Sequence, residues 1–359
     1  MADALPVATI LALPFEHPLR HGFLRIAVAV PRNKVADPVF NAAETVRLLR
    51  SAASDGASLV AFPELGLSAY TCDDLFHQRA LLDGCEKALL EVAAATLDTP
   101  ALAVVGLPLR VEHRLFNCAA IVGNGRVLGV VPKTYLPNYG EFYEARQFNS
   151  GDTAIAREVL LGGEPVPFGS ALVFKASNLA NFALHAEICE DVWVPVPPSS
   201  FAALAGATVL VNLSASNITI GKSAYRHQLV ALQSSRCIAA YVYSSAGVGE
   251  STTDMAWDGQ ALIYESGEML AQSERFLTES HVIFADVDLE RVARDRMRQN
   301  SFGDSVARHR GEVERFRSVE FALPLPTAPL GRLRRRLERF PYVPAEAGVR
   351  DERCREVYS

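Results

Sequence analysis

The 359-residue chain carries 35 Lys and Arg against 41 Asp and Glu, a net charge of −6, with 49% hydrophobic and 21% charged residues. That mixture is ordinary for a globular protein and long enough for one large domain with an appendage. Its slight acidity gives no case for nucleic acid as the main partner.

Cys72, Cys85, Cys118, Cys189, Cys237 and Cys354 are scattered without CxxC pairs, which argues against a zinc ribbon and a disulfide framework. No metal is expected. At the N-terminus an apolar run from Ala8 to Leu13 lacks a basic flank and is interrupted by Pro14 and Glu16. A signal peptide is not expected, and no apolar stretch approaches the ~20 residues of a membrane span. The expected compartment is the cytoplasm, without a membrane partner.

The apolar pattern then alternates between the strand and helix periods, as α/β layering requires. Phe23 to Val30 reads as a first strand. Asp37 to Ser54 reads as a helix with Val39, Ala42, Ala43, Val46 and Leu49 on one side, ended by Gly56. Ser58 to Phe62 is a short strand leading into Glu64. Asp73 to Leu97 is a second helical stretch, and Ala101 to Leu107 a third strand.

Two hairpins are signalled next. Ala119–Val122 and Val127–Val131 flank Asn124-Gly125, a dipeptide favoured in type I′ turns. Gln260–Tyr264 and Glu268–Gln272 flank Ser266-Gly267 in the same way. Phe182 to Ile188 is a strand leading into Cys189. Thr208 to Leu213 is another, followed by the polar loop Ser214-Ala215-Ser216-Asn217. Ser223 to Cys237 reads as a helix, and Ala239–Ser244 and Val282–Val287 as the last strands.

Past Asp288 the composition changes. Leu289 to Arg317 is charged and helical in pattern. Leu323-Pro324-Leu325-Pro326 and Pro329 mark an irregular stretch before the basic run Arg332 to Arg339. Leu333 and Leu337 fall at helical spacing within that run, which suits an amphipathic packing segment better than a nucleic-acid contact.

Three residues carry the chemistry, each just past an apolar run: Glu64 in Phe62-Pro63-Glu64-Leu65-Gly66-Leu67, Lys133 in Val130-Val131-Pro132-Lys133-Thr134-Tyr135, and Cys189 in Glu187-Ile188-Cys189-Glu190-Asp191. A thiolate that attacks an amide forms a thioester and splits one hard hydrolysis into two easier steps. The thiol needs a base, which Glu64 supplies, and the oxyanion needs a cation, which Lys133 supplies. The backbone N–H of Glu190, just after the nucleophile, is a second oxyanion donor. His185 lies four positions upstream in the strand, on the thiol's side at best.

Glu64, Lys133 and Cys189 resemble the Glu-Lys-Cys triad of the nitrilase, or carbon–nitrogen hydrolase, superfamily. The flanks Phe62–Tyr70, Pro132–Tyr139 and Glu187–Asp191 are similar to the glutaminase domain of glutamine-dependent NAD⁺ synthetases. So are Asn212–Ser216 with Gly221-Lys222, and Gly249–Gly259. The resemblance runs from about Phe15 to Tyr358. It implies a four-layer α-β-β-α sandwich and hydrolysis of L-glutamine to glutamate and ammonia, with glutamine contacts at Tyr139, Ser216 and Lys222. Glu141 is read as an auxiliary carboxylate that orients Lys133. The implied division is an N-terminal segment at 1–22, the hydrolase domain at 23–288 and a connector at 289–359.

The family's Ser-Gly-Gly-Leu-Asp-Ser-type pyrophosphate loop does not occur, and Gly162-Gly163 lies in a loop without that motif. The chain is therefore expected to be either an excised domain or a separate glutaminase-like hydrolase, with a synthetase domain or subunit as its partner, to which ATP and Mg²⁺ belong. The glutaminase step itself needs no cofactor. A homo-oligomer is expected from the family. Two other readings stay open at this point: a free-standing amidase for another small amide, and a catalytically quiet partner subunit.

Overall fold

In β1 (Phe23–Val30), Leu24, Ile26, Val28 and Val30 face one apolar cluster while Ala27 and Ala29 face another. Burial on both sides requires a layer above and a layer below the strand. The computed structural model describes residues 10–325, 332–337, 340, 342–344 and 346–359, and it supplies both layers.

After β1 the chain runs through α1 (Pro38–Ser54), β2 (Leu59–Ala61), α2 (Arg79–Ala95), β3 (Leu102–Val111), β4 (Arg114–Gly123) and β5 (Arg126–Pro132). A small hairpin, β6 (Glu158–Leu161) with β7 (Glu164–Pro167), leads to β8 (Leu172–Ala176) and β9 (Ala183–Ile188). Then follow α3 (Pro198–Leu204), β10 (Val209–Ser214), α4 (Lys222–Cys237), β11 (Ala240–Ser245), β12 (Ala261–Glu265), β13 (Glu268–Gln272) and β14 (His281–Asp288). The remainder holds α5 (Leu289–Arg298), α6 (Asn300–Arg308), α7 (Arg310–Glu314), β15 (Arg317–Phe321) and α8 (Ala347–Tyr358).

Among the described residues one sheet has the order β14-β1-β2-β3-β4-β5, and a second has the order β13-β12-β11-β10-β9-β8-β15. Their inner faces share a core that includes Ile26, Val104 and Ile121 from the first sheet and Phe174, Ile188 and Val211 from the second. Each large apolar side chain removed from water there contributes about 1.5–3 kcal/mol. α1 and α2 cover the outer face of the first sheet with Leu49, Leu89 and Val92. α3 and α4 cover the second with Ala202, Ala203 and Val230. This is the expected α-β-β-α sandwich.

Both hairpin signals correspond to type I′ turns, with φ of 54° and 77° at Asn124-Gly125 and 48° and 89° at Ser266-Gly267. Gly162-Gly163 closes the β6–β7 hairpin with φ of 58° and 85°. The turn between β3 and β4 uses Glu112 and His113 at φ of 52° and 62°, without a glycine, and so left no signal in the sequence. The second helical stretch is divided into a 3-10 turn, Asp73–His77, and α2. In α1, Asp37 caps by accepting the Phe40 N–H at 3.0 Å. The buried face runs through Asn41, Thr45 and Leu48, which leaves Val39 and Ala43 exposed rather than inward.

The segment past Asp288 is more than a connector. β15 pairs in parallel with β8 and puts Phe321 into the inter-sheet core. Leu19, from the stretch before β1, enters the same core. Residues 332–337 are irregular rather than helical. Arg335 there forms a two-pronged pair with buried Glu265 at 2.7 and 2.8 Å, and the backbone N–H of Arg334 donates to Asp286, which also holds Arg25 at 2.8 Å. Those arginines answer buried carboxylates of this chain. Pro326, Pro329, Glu338 and Arg339 lie outside the described residues.

Candidate active site

Three chain segments that leave strands meet between the sheets. Glu64 follows β2, Lys133 follows β5 directly, and Cys189 follows β9 directly. All three side chains are buried. Lys133 Nζ donates to Glu64 Oε1 at 2.7 Å and to both oxygens of Glu144, at 2.7 and 2.8 Å. Glu144 also accepts from the Tyr70 hydroxyl at 2.8 Å. Glu64 accepts two further bonds, from Asn117 Nδ2 at 2.6 Å and from the Ala215 N–H at 2.7 Å.

The carboxylate beside Lys133 is thus Glu144, and the expectation of Glu141 in that place is corrected. The loop after β5 turns so that Glu144 opens a short 3-10 helix, Glu144–Arg146, and points inward. Glu141 instead accepts from Asn217 Nδ2.

Electrostatics follow from this burial. Burial alone drives the Lys133 ammonium towards neutrality, but Glu144, Glu64 and Cys189 outweigh it and hold its pKa well above the ordinary lysine value. Burial, with Glu64 added, pushes Glu144 up to about 7 against the pull of Lys133. The two shifts differ in cause: the facing carboxylates keep the proton on Lys133, whereas it is chiefly burial that raises Glu144, with Lys133 opposing. The Cys189 thiol is pushed up first by burial and then by Glu64, with Lys133 opposing. The resting thiol therefore holds its proton and needs a base in the reacting step.

Cys189 has φ of 43° and opens a 3-10 helix, Cys189–Val192. That turn explains the place of His185. Leu184, Ala186 and Ile188 face the inner core, so simple alternation would put Cys189 outside with His185; the positive φ swings the thiol inward. His185 lies away from the thiol, its Nδ1 2.9 Å from the Leu172 carbonyl and its ring 5.8 Å from Phe316. Burial lowers its pKa to about 4, so it is neutral. The Glu190 N–H lies in the first turn of the 3-10 helix, where donors have no intrahelical acceptor. Asp191 holds this turn against the segment after β5, accepting from the N–H groups of Ile188 at 2.9 Å and Tyr135 at 2.8 Å.

A cavity of about 420 Å³ opens on Cys189, and Tyr139, Glu141, Glu190, Ser216 and Lys222 line it. Lys222 lies between the rings of Phe142 and Trp193, at 5.4 and 5.2 Å, and donates to Asn217 Oδ1. Burial lowers its pKa. The Tyr139 hydroxyl donates to the Glu190 carboxylate at 2.9 Å. Sequence reasoning missed Arg226, a fully buried side chain on α4 one turn after Lys222. It pairs with Asp258 at 2.7 Å and donates to the carbonyls of Ser216 and Asn217 and to Ser216 Oγ at 3.1 Å.

The Glu64 loop lies flat against β3 at Gly106. A Cβ there would meet the Pro63 carbonyl at 2.7 Å and the Glu64 carbonyl carbon at 2.9 Å, besides the Leu65 nitrogen. Gly106→Ala is expected to cost about 1–3 kcal/mol in a urea melt. Because the loop carries Glu64, kcat is expected to fall about 10- to 100-fold through its displacement. An unchanged kcat would show that the loop position does not matter.

The model of the family described as "Carbon-nitrogen hydrolase" matches residues 25–297. The chain is 48% identical over 345 residues to the glutamine-dependent NAD(+) synthetase of Mycobacterium tuberculosis, covering 96% of this chain and 50% of the relative. It is 47% identical over 347 residues to that of Mycobacterium leprae, covering 97% and 51%. The chain therefore spans about half the length of the curated relatives it matches. A crystal structure of a glutamine-dependent NAD(+) synthetase from Cytophaga hutchinsonii superposes with TM-score 0.66 at 29% identity, over 74% of this chain and 43% of that one. An amidase from Nesterenkonia sp. shares the fold, with TM-score 0.59 at 19% identity over 78% of this chain and 97% of its own. With the family match spanning the sandwich and all three converging segments, the chain belongs to the carbon-nitrogen hydrolase family.

Proposed function

We propose that the chain hydrolyses the side-chain amide of L-glutamine to glutamate and ammonia through a Cys189 thioester, as the glutaminase part of a glutamine-dependent NAD⁺ synthetase. The observation that carries this reading is the buried Glu64–Lys133 pair, whose charges act on Cys189, with Cys189 lining a cavity that also holds an ammonium, Lys222, and the carboxylates Glu141 and Glu190. Groups of both signs suit the two charges of a free amino acid.

Glu64 takes the thiol proton as sulfur bonds to the amide carbon. Lys133 and the Glu190 N–H stabilise the oxyanion in a site that excludes bulk water. Glu64 passes the proton to the departing ammonia, then removes one from the water that cleaves the thioester. Tyr139, Ser216 and Lys222 bind the head group. No cofactor takes part in this step. ATP and Mg²⁺ are assigned to a synthetase domain or subunit, the partner that would consume the ammonia. Assembly of the chain with copies of itself is part of the same proposal.

A pocket built around two charges should reject amides that lack them, by about 10⁴-fold in kcat/KM. Ammonia release from glutamine is to be compared with release from simple aliphatic amides. Comparable rates would favour a general amidase. Addition of a separate synthetase domain, with ATP and nicotinic acid adenine dinucleotide, is expected to change glutamine turnover, and indifference to it would argue for a free-standing enzyme.

A further inference from the structure

A carboxylate offers about four lone-pair sites. On Glu64, protein donors fill three. Oε1 accepts from Asn117 Nδ2 at 2.6 Å and from Lys133 Nζ at 2.7 Å, and Oε2 accepts from the Ala215 N–H at 2.7 Å. One site is left, on Oε2. We infer that Asn117 is a positioning residue for the base, saturating Oε1 so that the proton exchanged with Cys189 travels through Oε2 alone. This rests on Glu64 acting as the base in the proposed hydrolysis.

The placement of Asn117 supports a task in the site rather than in the fold. β4 alternates, and Ala119 and Ile121 on the same face belong to the inter-sheet core, where an apolar residue is the rule. Asn117 is fully buried, and its Oδ1 finds no hydrogen-bond partner. A buried acceptor without a donor weakens a fold. The amide orientation is forced by chemistry, because the reverse would set Oδ1 against a carboxylate oxygen. The backbone contribution is separate: the Asn117 carbonyl accepts from the Lys133 N–H at 2.8 Å, and any side chain retains that bond.

The charged and titratable groups around Glu64 are Lys133 from the end of β5, Cys189 from the end of β9, Glu144 from the loop after Lys133, and Tyr70 from the loop that carries Glu64 itself. None of them replaces the second donor on Oε1, since the remaining bonds of Lys133 go to Glu144. Loss of Asn117 Nδ2 removes a donor that favours the ionised carboxylate, so the acid limb of a rate profile should move to higher pH.

The test uses Asn117→Leu, with Asn117→Ala as a second variant, in the full chain. Expected are a kcat for glutamine about 10- to 100-fold lower with KM changed less than about twofold, and, for Asn117→Leu, which fills the space, a melting temperature close to the parent's. The alkylation rate of Cys189 by iodoacetamide, followed across pH by peptide mass spectrometry, should show the shifted acid limb. Folded variants with the parent's kcat and alkylation profile would overturn the inference. So would variants whose rate falls only in step with their stability, because the role is then structural. If the parent does not hydrolyse glutamine while the alkylation limb still shifts, the substrate reading falls and the role of Asn117 stands.

Discussion

Cys189→Ala is expected to lower ammonia release from glutamine by at least about 10³-fold, as when other covalent nucleophiles are removed. The fold should survive. The residue is almost fully buried in the inter-sheet cluster, but alanine retains the Cβ and loses only the sulfur, so little packing disappears. The same variant should no longer be labelled in the site by a glutamine-like electrophile, while Glu64→Gln should fail earlier, without accumulating thioester. Ammonia release by pure Cys189→Ala protein at close to the parent rate would end the thioester reading.

Lys133→Ala should act on rate and on stability together. Without the ammonium the oxyanion loses its cation, at a cost of about 10²–10³ in kcat. The fold loses more than a hydrogen bond, because Glu64 and Glu144 are left as buried neighbours without a countercharge, a change worth about 3–5 kcal/mol. The pH dependence has a definite sign. Glu144 already sits above its ordinary value, at about 7, chiefly through burial. A carboxyl raised in the folded state contributes stability that is fully present below the unfolded value of 4.5 and is lost as pH rises through about 7. Removal of Lys133 takes away the charge opposing that rise, so the variant should recover stability between pH 8 and pH 6 more than the parent does. Urea melts at the two values measure it. A variant that turns over, labels and melts like the parent would place Lys133 outside the site.

The triad was legible because each member lies within a few residues of the end of an apolar strand and carries distinctive neighbours. The convergence of the three was not, since it depends on sheet stacking rather than on spacing. Glu141 and Glu144 lie in one loop, and nothing local shows which of them turns under Lys133; a 3-10 turn decides it. Asn117 did leave a trace, as a polar residue at an inward position of an alternating strand. β15 was hidden by its setting among charged helices, although Val319 and Phe321 sit two apart as a half-buried strand requires. The turn at Glu112-His113 lacked the residues that advertise left-handed backbone, and the inward swing of Cys189 is a single dihedral that composition does not record.

Base and cation hang from one sheet, and the nucleophile hangs from the other. Short rivets cross between them, among them the Ala215 N–H to Glu64, the Glu64 N–H to the Ser214 carbonyl at 3.3 Å, and the Tyr135 N–H to Asp191 at 2.8 Å. The sandwich thus behaves as a caliper whose jaws are the reacting groups. Any sliding of one sheet over the other changes the gap a proton must cross, well before a strand unpairs. The greasy layer between the sheets is therefore also the gauge that sets that gap, and chemistry should falter there sooner than folding does.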